Sequence, residues 1–173
     1  MFAVKWPLGA VALVLILSAC TKPPSPERPA TFRNASQEIY SSAAFVPGKI
    51  AGSWQQMGAY SRGSDGPGCA PGRVSFTPSA GGLLASGQLC LNGQTRPVSG
   101  LVRANGPGRL QVPGMSDWWV IWVDADYRSL AIATPSGEFG FVLDRGVIGA
   151  DRFNAAREIF DFNGYRKTDL RRF

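Results

Sequence analysis

The stretch that decides the fold is residues 82–103, which read GLLASGQLCLNGQTRPVSGLVR. Two runs of alternating and apolar residues flank Asn92-Gly93, and both residues of this pair tolerate the positive φ that a type I′ turn requires. The pattern predicts a β-hairpin. Similar short runs, separated by Gly, Pro, Asn and Asp, continue in both directions from it.

Eight such runs are present, and they span residues 49–60, 73–77, 82–91, 95–103, 109–112, 118–124, 128–134 and 138–144. After the last run the apolar period becomes helical, with Asp151 as a candidate helix cap and Gly164 as a candidate stop. Phe153, Ala156 and the pair Ile159-Phe160 supply the apolar face. The sequence therefore predicts an all-β fold, an eight-stranded antiparallel up-and-down barrel with a C-terminal α-helix packed on its outside.

The first nineteen residues are typical of an export signal, since Lys5 precedes an apolar run and small residues precede Cys20. The run is shorter than the roughly 20 residues that cross a bilayer. Leu17-Ser18-Ala19-Cys20 resembles a bacterial lipobox, which implies that Cys20 is acylated and the signal removed. The alternative is an ordinary cleavage site beside a chance cysteine.

The domain organisation predicted from these features is a lipoprotein signal peptide (1–19), a Pro-rich membrane tether (20–45) and the barrel with its helix (46–173). Four prolines between residues 21 and 30 favour an extended tether. Thr21 stands where an aspartate would resemble an inner-membrane retention signal. We therefore expect a lipid-anchored protein of the bacterial outer membrane, with its barrel facing the periplasm.

The charge distribution and the cysteines of the chain indicate which partners and which covalent links are expected. Without the signal, seventeen Lys and Arg face twelve Asp and Glu, spread along the chain in a way that does not indicate nucleic acid. The basic end of the chain (Arg166, Lys167, Arg171, Arg172) is either a lipid-headgroup contact or a solvated tail. Cys69 and Cys90 are expected to form a disulfide in an oxidising compartment, the alternatives being free buried thiols or half a metal site.

Three separated stretches resemble the lipocalin family. They are Gly52-Ser53-Trp54, then 117–127 (DWWVIWVDADY, ending Asp126-Tyr127), then 139–145 (FGFVLDR, ending Arg145). The resemblance covers roughly residues 49–170 and implies that Trp54 closes the barrel floor with Arg145 across its ring. Two departures from the family pattern are Arg166, where an aspartate is common, and the bulky Trp122.

Alternation places residues two apart along a strand on the same face. With Trp54 placed inward, strand pairing of the lipocalin type, which the resemblance implies, then gives a predicted lining. The predicted ligand-binding residues combine apolar side chains with the polar tips of two residues of the first strand. They are Gln56, Tyr60, Val74, Phe76, Trp118, Val120, Trp122, Phe139 and Phe141. Plain core packing is the alternative for this set.

We expect no enzyme activity and no cofactor. The chain has no histidine, so Ser-His and Cys-His nucleophile pairs are impossible, and no carboxylates are spaced for a zinc site. Asp124 and Asp126 are typical of a turn. The family resemblance implies binding of a small hydrophobic or amphiphilic molecule, such as a fatty acid or lysophospholipid. The alternative is a barrel with a filled interior that acts as a periplasmic inhibitor or adaptor of another protein.

Overall fold

The computed structural model of the chain describes residues 1–3, 31–62 and 66–173. The secondary structure begins with a 3₁₀ turn (Pro47–Ile50), which replaces the start predicted for the first strand at residue 49. The strands are β1 (Gly52–Tyr60), β2 (Arg73–Ser79), β3 (Gly82–Leu91), β4 (Gln94–Ala104), β5 (Arg109–Gln111), β6 (Trp118–Val123), β7 (Ser129–Ala133), β8 (Gly140–Asp144) and β9 (Leu170–Arg172), and the helix is α1 (Ala150–Phe162).

The first eight strands form a closed antiparallel barrel, as predicted. Consecutive strands pair from β2 to β8, and β1 pairs with both β8 and β2 to close the cylinder. Closure leaves no free edge between the first and last strands. We call the end that carries the β1–β2, β3–β4, β5–β6 and β7–β8 connections the mouth end. The opposite end, with the 3₁₀ turn and the other connections, is the floor end.

The predicted hairpin is confirmed, with φ of 50° at Asn92 and 74° at Gly93. The predicted disulfide between Cys69 and Cys90 is also present, with the two Cα atoms 5.7 Å apart. It ties the β1–β2 connection to the end of β3, and therefore fastens a long mouth-end loop to the barrel wall.

Apolar side chains form two clusters on opposite sides of the barrel wall. The inner cluster fills the interior and comprises Phe45, Ile50, Trp54, Ala59, Val74, Phe76, Leu83, Ala85, Leu89, Leu91, Val98, Val102, Leu110, Val112, Trp118, Val120, Leu130, Ile132, Phe139, Phe141 and Leu143. The outer cluster comprises Phe32, Tyr60, Ile121, Ala131, Ala133, Val142, Ile148, Phe153, Ala156, Phe160, Tyr165 and Leu170.

The helix packs on the outside of the barrel, as predicted, and buries Phe153, Ala156 and Phe160. Its cap residue is Gly149, so the prediction of Asp151 as the cap is wrong; Asp151 lies in the first turn, where an acidic side chain favours the positive end of the helix dipole. Gly164, with φ of 83°, follows the cap residue Asn163 and stops the helix. Within the described part of the chain, no helix is both long and apolar enough to span a bilayer.

Residues 31–46 form a strap that begins on the outside of the barrel at Phe32 and ends at Phe45, which packs against the inner cluster. The tether was predicted to extend to residue 45. Phe32 is fully buried and Phe45 is nearly so. Apolar burial of this size stabilises the packed position by a few kcal/mol, at about 25 cal/mol per Å². The packed part of the chain therefore begins before the predicted boundary. The signal and most of the tether, residues 4–30, lie outside the described residues.

The basic end of the chain is ordered and is not a free tail. Arg171 and Arg172 belong to β9, which pairs with the second half of β1 through Gly58↔Arg172 and Tyr60↔Leu170. The first half of β1 uses the same edge to pair with β2. Strand β9 therefore covers the part of that edge from which β2 has diverged.

Candidate functional site

The floor end is closed beneath the barrel by Trp54 and Arg145, as the lipocalin resemblance implies. Trp54 is 1% exposed, its indole N–H donates to the Ile50 carbonyl at 2.7 Å, and the Arg145 guanidinium lies 4.3 Å from the indole ring centre. Arg145 also donates to the carbonyls of Lys49, Ala51 and Tyr127, each at 2.9 Å. This arrangement joins the 3₁₀ turn to the β6–β7 turn through one side chain.

The first glycine of the Gly52-Ser53-Trp54 motif has a steric role at this floor. Its φ is 105°, and a Cβ atom there would lie 2.9 Å from an Arg145 nitrogen. Glycine adopts positive φ at little cost, and it leaves room for the guanidinium.

The other motif residues shape the β6–β7 turn. Tyr127 has φ of 53°, and its hydroxyl accepts a hydrogen bond from the Val46 N–H at 2.8 Å and donates to the Ala44 carbonyl at 3.1 Å. Asp124 accepts from the N–H groups of Arg128 and Ser129, both at 2.7 Å, which confirms its turn role. Asp126 is exposed at the turn.

Six of the nine predicted lining residues lie in the inner cluster: Val74, Phe76, Trp118, Val120, Phe139 and Phe141. None is more than 3% exposed. Trp118 and Phe141 meet edge to face with ring centres 5.0 Å apart, and Phe139 lies 6.1 Å from Phe141. In the mouth half of the barrel these rings pack on each other, in a geometry that stabilises aromatic pairs.

Tyr60 points outward, against the prediction. The pairing of β1 with β8 shifts register between Gln56 and Gly58, which marks a β-bulge at Met57. A bulge inserts one extra residue, so the residues beyond it change faces. Tyr60 therefore joins the outer cluster, with ring centres 4.9 Å from both Phe160 and Tyr165.

Gln56 points inward, as predicted, but its polar atoms are all used by the backbone. Its side-chain oxygen accepts from the N–H groups of Gly72 (3.0 Å) and Cys90 (2.8 Å), and its nitrogen donates to the Cys90 carbonyl (2.7 Å). Gln56 is 1% exposed. It therefore bridges β1 to the end of β3, where the structure gives it a packing role.

Trp122 also points outward, against the prediction. The pairing of β6 with β7 shifts register between Val120 and Trp122, so a second bulge lies at Ile121. Trp122 is paired with Ala131 and packs against the outer cluster. Val123 packs against the inner cluster in its place. The bulk of Trp122 consequently does not reduce the interior of the barrel.

A small cavity of about 250 Å³ lies at the mouth end. Leu91, Met115 and Phe139 form its apolar side, and Arg96 and Glu138 are among its polar residues. The Glu138 carboxylate accepts a hydrogen bond from Ser116 at 2.7 Å. Its volume is below the roughly 300–1,000 Å³ of typical small-molecule sites.

A larger cavity of about 370 Å³ lies at the floor end, which we call the floor cavity. It opens between the 3₁₀ turn and the β2–β3 and β4–β5 connections, to one side of Trp54. Leu83, Val102 and Leu110 of the inner cluster lie at its base, and Arg103 and Ala104 line it at the end of β4. Its volume is within the range of small-molecule sites, and its walls are mainly apolar.

The sequence did not indicate the residues of the floor cavity. One signal was available for Leu83, because Phe76 and Ala85 face each other across the β2–β3 pairing and Leu83 shares the face of Ala85. Strand β5 has only three residues and pairs with Arg103 and Ala104 at the floor end of β4, next to the cavity. The pattern of apolar runs in the sequence does not predict strand ends to within one or two residues.

Two buried tyrosine hydroxyls have pKa values shifted by their packing. Burial raises the pKa of the Tyr165 hydroxyl to about 12, although hydrogen bonds with Thr134 oppose the shift. Burial also raises the pKa of Tyr60, with a further contribution from Tyr165. Within the described ranges, no group of three His, Cys, Asp or Glu side chains is arranged to hold a metal ion.

Neither a comparison with protein families nor a search of curated proteins finds a match to this chain. Solved structures with a similar fold include lobster apocrustacyanin A1 (TM-score 0.52, 11% identity) and apocrustacyanin C2 (TM-score 0.52, 12% identity). Each match covers 79% of this chain and 88% of the other. At such low identity the likeness concerns the fold, and the architecture of this chain is a lipocalin-type barrel.

Proposed function

We propose that this protein is a lipid-anchored binding protein that takes up a small hydrophobic or amphiphilic molecule, of the fatty acid or lysophospholipid class, in its floor cavity. The observation that carries the proposal is the floor cavity, a mainly apolar, partly open cavity of about 370 Å³ whose inner end is formed by residues of the inner cluster. The proposal assigns the protein no catalytic role and no cofactor.

The apolar walls supply the affinity in this proposal. Leu83, Val102 and Leu110 are each at most 5% exposed and close the inner end of the cavity. Pro47, Pro78 and Ala104 supply the more accessible apolar lining that a hydrocarbon chain would contact. Each methylene removed from water contributes about 0.8 kcal/mol, which corresponds to about a fourfold change in Kd. Binding should therefore tighten steeply with chain length until the cavity is filled.

Arg103 supplies the polar contact in this proposal. It is exposed at the end of β4 and lines the cavity, so its guanidinium can pair with a carboxylate or phosphate that remains in water. An exposed ion pair contributes about 1 kcal/mol at most, or about fivefold in Kd. The headgroup should consequently matter less than the chain.

The anchor of the proposal is an acylated Cys20, and the proposed location is the bacterial outer membrane with the barrel facing the periplasm. Its support is the lipobox sequence and Thr21. We expect Cys20→Ser to remove the incorporation of radiolabelled palmitate and to leave the protein unanchored or its signal uncleaved. Equal labelling of wild type and Cys20→Ser would contradict the anchor.

The site itself is tested with two matched substitutions at the ends of one strand. Ala104→Trp adds bulk at the floor cavity, and Gln94→Trp adds the same side chain at the mouth cavity, where Gln94 is the first residue of β4. Both positions are exposed, so both variants should fold. The measurement is displacement of a fluorescent fatty acid by a series of unlabelled chains.

We expect Ala104→Trp to weaken binding by at least tenfold or to shorten the preferred chain, and Gln94→Trp to bind as wild type does. If Gln94→Trp alone weakens binding, the ligand lies at the mouth end. If wild type binds no chain of any length, the ligand-binding proposal is wrong.

A second function is favoured by one observation, the packed aromatic rings of Trp118, Phe139 and Phe141 in the mouth half of the barrel. A filled interior suits a barrel that acts as an inhibitor or adaptor of another periplasmic protein through its loops. Native mass spectrometry of the purified protein separates the two functions. A co-purified amphiphile supports ligand binding, whereas a clean apo mass without fatty acid displacement supports the adaptor.

A further inference from the structure

The strap begins at the mouth end of the barrel. The Phe32 N–H donates to the Gly137 carbonyl in the β7–β8 connection at 2.7 Å. Farther along, the Val46 N–H donates to the Tyr127 hydroxyl near the floor. The chain therefore enters the described structure at the mouth end and runs toward the floor end.

The start of the strap is held firmly in this position. Arg62 and Arg166 both donate to the carbonyl of Thr31, each at 3.0 Å. The side chain of Arg33 is 6% exposed and donates to the carbonyls of Pro135 (2.7 Å) and Asn163 (3.2 Å). Buried charge-assisted hydrogen bonds of this kind are costly to break, so the entry point of the strap is fixed relative to the barrel.

The distance between this entry point and the proposed anchor is limited by the covalent chain. Cys20 precedes Thr31 by eleven residues, and a chain spans at most about 3.6 Å per residue, which gives about 40 Å. The helix that runs between the two ends of the barrel is about 20 Å long. The tether can reach farther than the length of the barrel, so the face that lies toward the membrane is decided by the surface around the entry point.

An exposed aromatic pair lies beside the entry point. Tyr40 is 56% exposed and Phe162 is 63% exposed, with their ring centres 6.0 Å apart. The pair is held by the backbone, because the Tyr40 N–H donates to the Asn163 side chain at 2.7 Å and Gln37 donates to the Phe162 carbonyl at 2.6 Å. Exposed aromatic rings of this kind are typical of surfaces that contact a membrane interface.

The charges around the pair largely cancel. Lys167 pairs with Glu158 at 2.5 Å and with Asp161 at 3.3 Å, and Arg166 pairs with Asp169 at 2.7 Å. A contact made here would depend on the rings and would respond weakly to salt.

We infer that the aromatic pair of Tyr40 and Phe162 rests in the headgroup region of the phospholipid membrane that holds the acylated Cys20. The mouth end then lies toward the bilayer, and the floor cavity opens away from it. The inference rests on the proposed lipid anchor. It adds that the barrel has a fixed face toward the membrane, and that the ligand enters from the aqueous side.

The experiment uses the complete acylated lipoprotein in vesicles of phosphatidylethanolamine and phosphatidylglycerol. The photoreactive residue p-benzoylphenylalanine replaces Phe162 in one variant, Tyr40 in a second and Val147 in a third. Val147 is 85% exposed and precedes the helix at the floor end, so it is the matched control. After illumination, lipid adducts are measured by mass spectrometry, together with the acyl groups on Cys20.

We expect several-fold more lipid adduct at positions 162 and 40 than at position 147, at both low and high salt. Acylated protein with equal adducts at all positions, or with most at position 147, would overturn the orientation and leave the anchor intact. Absence of acyl groups on Cys20 would overturn the anchor and, with it, this inference. If position 162 instead forms adducts with a protein in intact cells and none with lipid in vesicles, the patch is a protein interface and the inference is wrong.

Discussion

The role of Gln56 can be tested by removing its side chain and comparing the result with its neighbour. Gln56→Ala leaves three backbone groups without their partner, the N–H groups of Gly72 and Cys90 and the carbonyl of Cys90. A buried unsatisfied polar group costs at least about 1 kcal/mol, so the free energy of unfolding should fall by about 3 kcal/mol or more. For a domain of this size, that loss lowers the Tm by roughly 10 °C.

Gln55 is the matched control, because the same residue type lies one position earlier and is only partly buried. Gln55→Ala should change the free energy of unfolding by less than about 0.5 kcal/mol. The assay is urea unfolding of both variants with the Cys69–Cys90 disulfide intact. If Gln56→Ala is as stable as Gln55→Ala, yet loses fatty acid binding, Gln56 is a ligand contact and the packing role is refuted.

Three further outcomes follow from the same structure. Arg145→Ala should lower the free energy of unfolding by about 1–3 kcal/mol in urea, because the contact with Trp54 and three carbonyl hydrogen bonds are lost; full stability of this variant would contradict a closing role at the floor. Trp122→Ala should be destabilised but keep the chain-length preference of wild type in fatty acid displacement, because Trp122 packs outside the barrel; a changed preference would contradict that placement. Among the described residues the Tyr60 hydroxyl has no hydrogen-bond partner, and burial raises its pKa. Tyr60 therefore stays neutral in the folded protein, whereas it ionises in the unfolded chain above a pH of about 10. The free energy of unfolding should consequently fall as the pH rises above that value. Tyr60→Phe should therefore match or exceed wild type at pH 7 and lose less stability between pH 9 and pH 11; an equal alkaline loss in urea titrations would contradict this.

Patterns of two-residue alternation were sufficient for the architecture and for part of the interior. They predicted the eight strands and put Val74 and Phe76 on one face, and together with the family pattern they placed Trp118 and Val120 inward, where the structure has all four. These residues lie on regular stretches of strand, where side chains alternate strictly between the two faces. The Trp54–Arg145 contact was accessible only through the family resemblance, because the two residues are far apart in the sequence.

The alternation failed at two places for a single physical reason. Met57 and Ile121 each occupy a bulge, and beyond each bulge the faces exchange. Gly58 directly follows the first bulge and is a signal of an irregular strand, whereas no glycine or proline adjoins Ile121. Tyr60 and Trp122 were therefore predicted on the wrong face, although both are strand residues as predicted.

The same two bulges explain why the helix has a place to pack, and they are the reason that we propose a ligand site at the floor end. By turning Tyr60 and Trp122 outward, they give the barrel wall the aromatic surface that Phe153 and Phe160 of α1 cover. Gly58, beside the first bulge, allows this approach, because a Cβ atom there would lie 2.8 Å from the Phe153 ring. Because Tyr60 points outward, β1 places no tyrosine hydroxyl in the interior at the mouth end, and the polar side-chain atoms of Gln56 are hydrogen-bonded to the backbone. The interior of the mouth half is therefore filled by packed aromatic rings. The proposed site for a ligand with a polar headgroup is at the floor end, where Arg103 lies beside an apolar cavity of ligand size.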